Sequence, residues 1–400
     1  MKVVVVTNLF PNPLEPTRAI FMTHFVRALR KEVEIPAIIV PLPWCPKWAL
    51  LKRFPRFYLS ASIPDRWEWE GMPVFCPKYF YLPKIMGALQ ALMVFFAIFP
   101  LLRRFKAEDR CQLINAHFIY PDGVAASLAA RLLHLPIVLS ARGTDINLYA
   151  HYRLRRPQIA AALSGANQIT AVSKGLIEEM TCLGISPQKI SLMENGIDRD
   201  AFAPRDPIPC RHELGLDPKR DYLLFVGRLS KEKNVNILIE AVRILQGENR
   251  HFDRHFDLHL AGDGPMQNQW EAQARLLKFP DRIHFHGAVN HADIPIWMGG
   301  CSVLCLPSLR EGTPNVILEA FASGRPVVAS HVGGCIDLID EDKNGYLCSP
   351  DNPQQWANAL RAALSKKWNV DAIVGYVAHR TWHKTAEGYR DLFRKALGSV

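Results

Sequence analysis

Four charged side chains in the carboxyl-terminal half have types and spacing that suit one chemistry. Arg228 and Lys233 lie in Gly227-Arg-Leu-Ser-Lys-Glu-Lys-Asn234, after an apolar strand-like run, Tyr222–Val226, and before a helical pattern from Val235 to Gln246. An arginine grips phosphate oxygens in pairs and a lysine adds a mobile point charge, while Gly227 lets the backbone pass close to a ligand. Two cations at one helix amino terminus suit a diphosphate; an ordinary loop with surface cations is the plainer reading. Glu311 and Glu319 lie eight residues apart in the stretch 307–324. There Thr313 is expected to cap a helix with Pro314 at its first position, and Gly324 to close it in a left-handed conformation. Glu311 and Gly312 then fall on a loop at the carboxyl end of a strand, where open α/β sheets bind ligands. A carboxylate beside an anion site repels the anion, so it is expected to bind hydroxyls. An anion flanked by polyol contacts indicates a nucleotide sugar, and the alternative is a capped amphipathic helix with two solvated glutamates.

The elements that must position these residues alternate between strands and helices. Val3–Thr7 reads as a strand buried on both faces, followed by the loop Asn8–Ala19 and a helix from about Ile20 to Lys31. Gln112–Ala116 delivers His117 to a strand tip, Tyr120–Gly123 leads into the helix Val124–Leu133, and the strand Pro136–Ala141 delivers Arg142-Gly-Thr-Asp145. A histidine at a strand tip is a functional candidate. Asp145 has three readings: a hydroxyl acceptor, the group that orients His117, or a helix cap. Gln168–Val172, a helix Lys174–Cys182 and Lys189–Met193 complete the first sheet, and the polar, proline-rich passage after Asn195 reads as a linker. The second half repeats the pattern with strands at Tyr222–Val226, Asp257–Ala261, Arg282–Phe285, Cys301–Leu306 and Val327–Ala329. His251, His255 and His259 are four apart, but a strand there cannot converge them on a metal. Asp198-x-Asp200 and Asp340-x-Asp342 read as solvated turns.

Four hundred residues favour two or three domains. Residues 1–180 hold 22 Lys and Arg against 12 Asp and Glu, which is the whole net charge of +10, and residues 181–400 hold 26 of each. The amino-terminal half is therefore expected to meet an anionic surface. Residues 42–83 interleave Trp44, Trp48, Phe54, Phe57, Tyr58, Trp67 and Trp69 with Lys47, Lys52, Arg53 and Arg56. Ile85–Leu102 then runs eighteen residues without a charge. Its readings are a membrane span, a buried or half-buried helix, or a membrane-surface contact. The nine cysteines form no Cys-x-x-Cys pair and read as reduced core thiols of a cytosolic protein, and no signal peptide is expected.

Ser308, Glu311-Gly312, Pro314 and Glu319-Ala320 resemble the Glu-x7-Glu motif of the retaining family-four glycosyltransferases, and Gly227–Asn234 resembles their Gly-Arg-Leu…Glu-Lys-Asn element. Asn115–Gly123 and Ala141–Asn147 look like bacterial members that build cell-surface polysaccharides, including teichuronic-acid-type enzymes. The resemblance implies the GT-B fold: α/β, with two Rossmann-like parallel-sheet domains facing across a cleft. Residues 1–197 would form the acceptor-side domain, 198–209 the linker and 210–379 the nucleotide-sugar domain. A terminal helix at about 380–400, carrying Trp382, Ala386 and Tyr389, would cross back to the first domain. It implies retaining transfer from a nucleoside-diphosphate sugar to a hydroxyl acceptor, a lipid-linked or cell-surface glycan precursor at the cytoplasmic membrane face. Arg228 and Lys233 would neutralise the diphosphate beside Gly227, Glu319 would bind ribose, and Glu311 with Gly312 would orient the sugar. His117, with Asp145, would line the reacting face, and His286-Gly287 would meet the base. Arg18 would compensate for Ala19, which stands where family members often have a glycine; Ile336-Asp337 also departs from the family's Pro-Glu. No cofactor or metal is expected, and the chain would sit peripherally on an anionic membrane, without nucleic acid. A nucleotide-sugar epimerase or a phosphorylase of the same architecture is the alternative. A nucleic-acid binder using the basic, aromatic first half is more remote, because it leaves the paired glutamates without a use.

Overall fold

Four successive valines, Val3–Val6, form strand β1 and are fully buried, as β-branched side chains on a strand covered on both faces should be. The structure is a computed structural model that describes residues 1–16, 18–44, 60, 62–82, 86–247 and 255–398. Most of the aromatic and basic cluster expected at 42–83, from Lys47 to Tyr58, lies outside the described residues, as do Ile85 and His251. The chain divides into two units, Met1–Gly196 with Trp382–Val400, and Ile197–Thr381.

In the first unit the strands after β1 are β2 (Ile38–Ile39), β3 (Leu42–Trp44), β4 (Arg66–Trp69), β5 (Met72–Phe75), β6 (Lys78–Phe80), β7 (Leu113–His117), β8 (Ile137–Ala141), β9 (Gln168–Ala171) and β10 (Ile190–Leu192). Eight of them form one sheet in the order β10-β9-β8-β7-β1-β2-β5-β4, while β3 pairs with β6. All pairs are parallel except β4 with β5. The chain runs outward from β1 through β2 to β5 and then returns to β7 on the other side of β1. The loops leaving β1 and β7 therefore diverge and leave a crevice at their carboxyl ends.

The charge-free stretch expected from Ile85 forms a helix only from Gln90, and it runs through Arg103-Arg104 to Ala107. Ala91, Val94, Ile98, Leu102 and Phe105 are its buried stripe, while Phe96 is 61% exposed. That spacing of three and four makes it a core-facing amphipathic helix. Among the described residues no helix is long and apolar enough to cross a membrane, so the spanning reading is set aside. The terminal helix Trp382–Leu397 belongs to this unit and buries Ala386 and Tyr389. The Tyr389 hydroxyl donates to Ser140 Oγ on β8 at 3.0 Å and shares a bond with Thr170 Oγ1 on β9 at 2.9 Å.

In the second unit, β11 (Asp221–Val226), β12 (Phe256–Ala261), β13 (Ile283–Phe285), β14 (Val303–Leu306), β15 (Val327–Ser330) and β16 (Gly345–Cys348) form a wholly parallel sheet ordered β13-β12-β11-β14-β15-β16. Its order reverses between β11 and β14. The passage read as a linker folds onto this unit: Phe202 is buried, and the helix Pro207–Glu213 starts on Asp206, whose carboxylate accepts from the Ile208 N–H at 3.0 Å. The helix after β14 runs Asn315–Ala322, one residue later than expected, with Pro314 rather than Thr313 at the capping position. Its other end is as read: Gly324 is left-handed at φ 70°, and the N–H groups of Gly324 and Arg325 close back on Phe321 and Ala320.

Replacing Tyr389 with Phe leaves the Thr170 and Ser140 hydroxyls enclosed without this partner. The first unit is expected to lose about 1–3 kcal/mol of stability, read as a lower urea midpoint for that unit's transition.

Candidate functional site

In the second unit the two motifs meet at the point where strand order reverses. The loop after β11 carries Gly227, exposed Arg228 and, on the short turn Lys231–Lys233, the partly buried Lys233. The loop after β14 carries Ser308, Glu311 and Gly312. Lys233 Nζ lies 2.5 Å from Glu311 Oε1, and Ser308 Oγ donates to the same oxygen at 2.5 Å. The Leu309 N–H donates to the Glu232 carbonyl at 2.8 Å and ties the loops through their backbones. A cation and a carboxylate thus stand side by side at the carboxyl ends of β11 and β14, with the helix Asn315–Ala322 beginning directly behind them.

Two glycines from neighbouring loops make this approach possible. A Cβ on Gly262 would stand 1.9 Å from the Gly227 carbonyl oxygen, and one on Gly334 would stand 1.8 Å from that of Gly312. Neither loop could keep its path over a larger residue. Nothing in the sequence singles out these supports as part of the site.

Glu319 lies on the helix that starts behind Glu311 and is partly exposed. Burial, and then the nearby Asp198 carboxylate, push its carboxyl up to about 7. Asp198 itself accepts from the Asp200 and Ala201 N–H groups, as a turn residue does. Asp340 and Asp342 pair with Lys343 and Lys366, in keeping with the turn reading. His286, at the end of β13, donates its backbone N–H to the Leu260 carbonyl, and its ring turns to His259 at 2.9 Å and packs on Trp297. The strand pairing also sets His259 beside His284, so Asp257, His259 and His284 bring potential metal-ligand atoms within 4.8 Å of one another. That grouping was not expected from the His251-His255-His259 spacing, because it arises across two strands. Asp257 Oδ2 pairs with Arg220 at 2.8 Å, the His259 and His284 rings stack at 21°, and Asp257 Oδ1 and His259 Nε2 are buried without a partner among the described residues. Burial, and then His284 and His286, lower the His259 pKa to about 3.

In the first unit His117 ends β7 but is fully enclosed, with its ring against Phe25 and Tyr389. Burial, and then the Arg142 charge, hold its pKa well below the imidazole range. Arg142 donates to His117 Nδ1 at 2.8 Å, which puts the neutral ring's proton on Nε2, an atom with no partner among the described residues. Arg142 also reaches Asn195 Oδ1 at 2.8 Å, and it is the partly exposed member of this group. Asp145 does not orient His117. Its buried carboxylate accepts the N–H groups of Ile119, Arg142 and Gly143 at 2.7–3.2 Å and so locks together the loops after β7 and β8. Asp122, which the sequence reading passed over, accepts the Asn8 N–H at 2.6 Å and ties the loop after β1 to the loop after β7. Arg18 pairs with Glu15 at 2.8 Å, and Ala19 adopts a left-handed φ of 53°, the conformation a glycine would hold without strain.

Residues 73–201 match the family described as Glycosyltransferase Family 4, and residues 210–379 match Glycosyl transferases group 1. The chain is 27% identical over 366 residues to the putative teichuronic acid biosynthesis glycosyltransferase TuaC of Bacillus subtilis, covering 90% of this chain and 88% of that one. It is 31% identical over 261 residues to a D-inositol 3-phosphate glycosyltransferase of Kribbella flavida, covering 61% of this chain and 62% of that protein. Among solved structures, Anabaena HepE in complex with UDP superposes over both full chains with a TM-score of 0.71 at 20% identity. The sucrose-phosphate synthase of Thermosynechococcus elongatus does so with 0.76 at 17%. At those identities the likeness is one of fold.

The position of Glu319 makes a pH prediction. A free glutamate ionises near pH 4, at about 4.3, whereas Glu319 holds its proton to about 7. Between these values the unfolded chain has released a proton that the folded chain keeps, so stability falls as pH rises through the window. Glu319→Gln is expected to flatten this decline in melting temperature across the same window and to leave the melt at lower pH unchanged.

Proposed function

Because this chain belongs to the GT-B glycosyltransferases, with a family 4 region followed by a group 1 domain, we propose that it transfers a sugar, with retention of anomeric configuration, from a nucleoside-diphosphate sugar to the hydroxyl of a lipid-linked or cell-surface glycan precursor. The observation that carries this reading is the Lys233–Glu311 pair at the strand-order reversal of the second unit. A cation and a carboxylate there match a donor that is an anion at one end and a polyol at the other. Arg228 and Lys233 neutralise the diphosphate as it leaves, where negative charge develops. Glu311 and the backbone at Gly312 hold the transferred sugar, Glu319 the ribose, and the backbone at His286 the base. In the first unit Arg142 stands at the corresponding crevice and supplies a charge, while His117, enclosed behind it, accepts from Arg142 and holds it in place.

The acceptor oxygen bonds to the anomeric carbon on the face from which the diphosphate departs, the carbon–oxygen bond to phosphate breaks, and the departing phosphate takes the acceptor's proton. The two cations serve the role that a bound metal serves elsewhere, so the reaction needs no metal or other cofactor. TuaC, named for teichuronic acid biosynthesis, and the excess of basic residues in the first half support an acceptor handled at the inner face of the cytoplasmic membrane, on which the chain sits peripherally.

Each charge-assisted bond contributes about 1.5–3 kcal/mol. Arg228→Ala and Lys233→Ala are therefore each expected to lower kcat/KM and nucleoside-diphosphate affinity by roughly tenfold to a hundredfold. Titration calorimetry with UDP, GDP and their sugars reads this, and near-normal affinity in both variants would sink the assignment. The purified chain is also expected to bind anionic liposomes at low ionic strength and release them at high. Absence of binding at every salt concentration removes the membrane reading.

A further inference from the structure

Three helices of the first unit, Gln90–Ala107, Val124–Leu133 and Arg156–Gly165, enclose a cavity of about 680 Å³. That lies within the size range of small-molecule sites, about 300–1,000 Å³. The cavity exists because its floor is built from small side chains: Ala91, Val124, Ala130 and Ala162 are buried there. Leu89, Leu92 and Leu128 form its rim and are 39–52% exposed. Polar groups in the lining are few, and two are already used. Gln158 donates to the Ala88 and Leu154 carbonyls, and Asn167 accepts from the Ile137 N–H. Ser127 Oγ is a further buried polar atom of the lining, without a partner among the described residues; a sugar or nucleotide would find little else there to bind its hydroxyls, and a hydrocarbon would leave that hydroxyl unpaired.

The charge around the cavity is one-sided. Residues 71–107, 123–144 and 146–177, which include all three helices, contain no Asp or Glu. The helices instead carry exposed Arg103, Arg131 and Arg156, and Arg131 itself lines the cavity. The first unit as a whole holds 27 Lys and Arg against 15 Asp and Glu, while the second holds 21 against 23. An apolar slot with Arg131 in its lining, on helices that carry arginines and no carboxylate, complements an amphiphile with a hydrocarbon tail and an anionic head. One lipid chain alone binds marginally, and one chain with a basic patch binds stably.

We infer that this cavity holds the hydrocarbon tail of the lipid-linked acceptor, with Arg131 at its mouth facing the lipid's phosphate. Only the identity of the lipid as acceptor rests on the transferase reading; tail binding does not. Cis-parinaric acid, which fluoresces in apolar surroundings, is added to the full chain and then displaced with phytanyl phosphate. Binding with displacement is expected, and inorganic phosphate should displace nothing. Ala161→Trp, at an exposed wall position, and Leu128→Glu, at the rim, should each weaken phytanyl phosphate at least tenfold while leaving UDP affinity unchanged. Arg131→Glu should weaken phytanyl phosphate but not the neutral phytanol. No fluorescence rise, or equal affinity in the two cavity variants, overturns the proposal. A light-scattering mass of two chains that reverts to one in Leu128→Glu also overturns it, by giving the cavity to a second copy. If the chain binds the hydrocarbon but no nucleotide, the transferase reading fails and the cavity assignment stands.

Discussion

Lys233 and Glu311 come from loops 78 positions apart in sequence and meet at 2.5 Å, and much of the second unit is arranged to let them. Pairing two partly buried charges gains little over leaving them in water, because desolvation offsets most of the attraction. The pair therefore makes better sense as a device for order than as a source of stability. It fixes an ammonium and a carboxylate where loops would otherwise wander, so that a ligand phosphate meets a cation already in place. Such a ligand must also compete with Glu311 for Lys233. Under the proposed function, donor affinity would be the difference between two strong contacts and would depend on where the sugar hydroxyls leave the displaced carboxylate.

That geometry requires backbones closer together than side chains permit. Gly262 under Gly227 and Gly334 under Gly312 supply the clearance, one beneath each loop. The first unit solves a related problem with hydrogen bonds. Asp145 gathers three amides from two loops and Asp122 takes one from a third, so the crevice between β1 and β7 is held by buried carboxylates. Burial raises the pKa of both, and the amides they accept oppose that shift. Tyr389 bonds to β8 and β9 from behind the same region and packs on both Phe25 and His117. Loss of the terminal helix would open the enclosure that keeps His117 neutral.

Most of the strands were legible because parallel strands covered on both faces are apolar runs bounded by polar tips. For the same reason Gly227, Lys233, Glu311 and His117 could be placed at strand ends from sequence. What stayed hidden was set by contacts between segments distant in the chain. Asp145 reads equally well as a cap, a hydroxyl acceptor or a partner for His117, and only the path of the loop at Ile119 decides that it ties loops together. The grouping of Asp257, His259 and His284 depends on the register of β12 against β13, which no spacing within one segment reveals. The charge-free run after Ile85 suggested a helix that stopped at Arg103-Arg104. The buried stripe continues to Phe105, and arginine stems extend to water from the opposite face.

The two units carry their charge in physically different ways. In the second, overall charge is near balance, and one cation, Lys233, is fixed by Glu311 at a loop junction. Binding of that kind depends on geometry and is weakly screened. In the first, the excess charge is spread over exposed arginines, most conspicuously on helices that carry no carboxylate at all. Exposed charges of that kind are screened beyond about 8–10 Å at physiological salt, so they suit a broad anionic surface better than a single small anion. The proposed function, with a charged nucleotide-sugar donor and an acceptor at an anionic interface, would draw on both kinds of attraction.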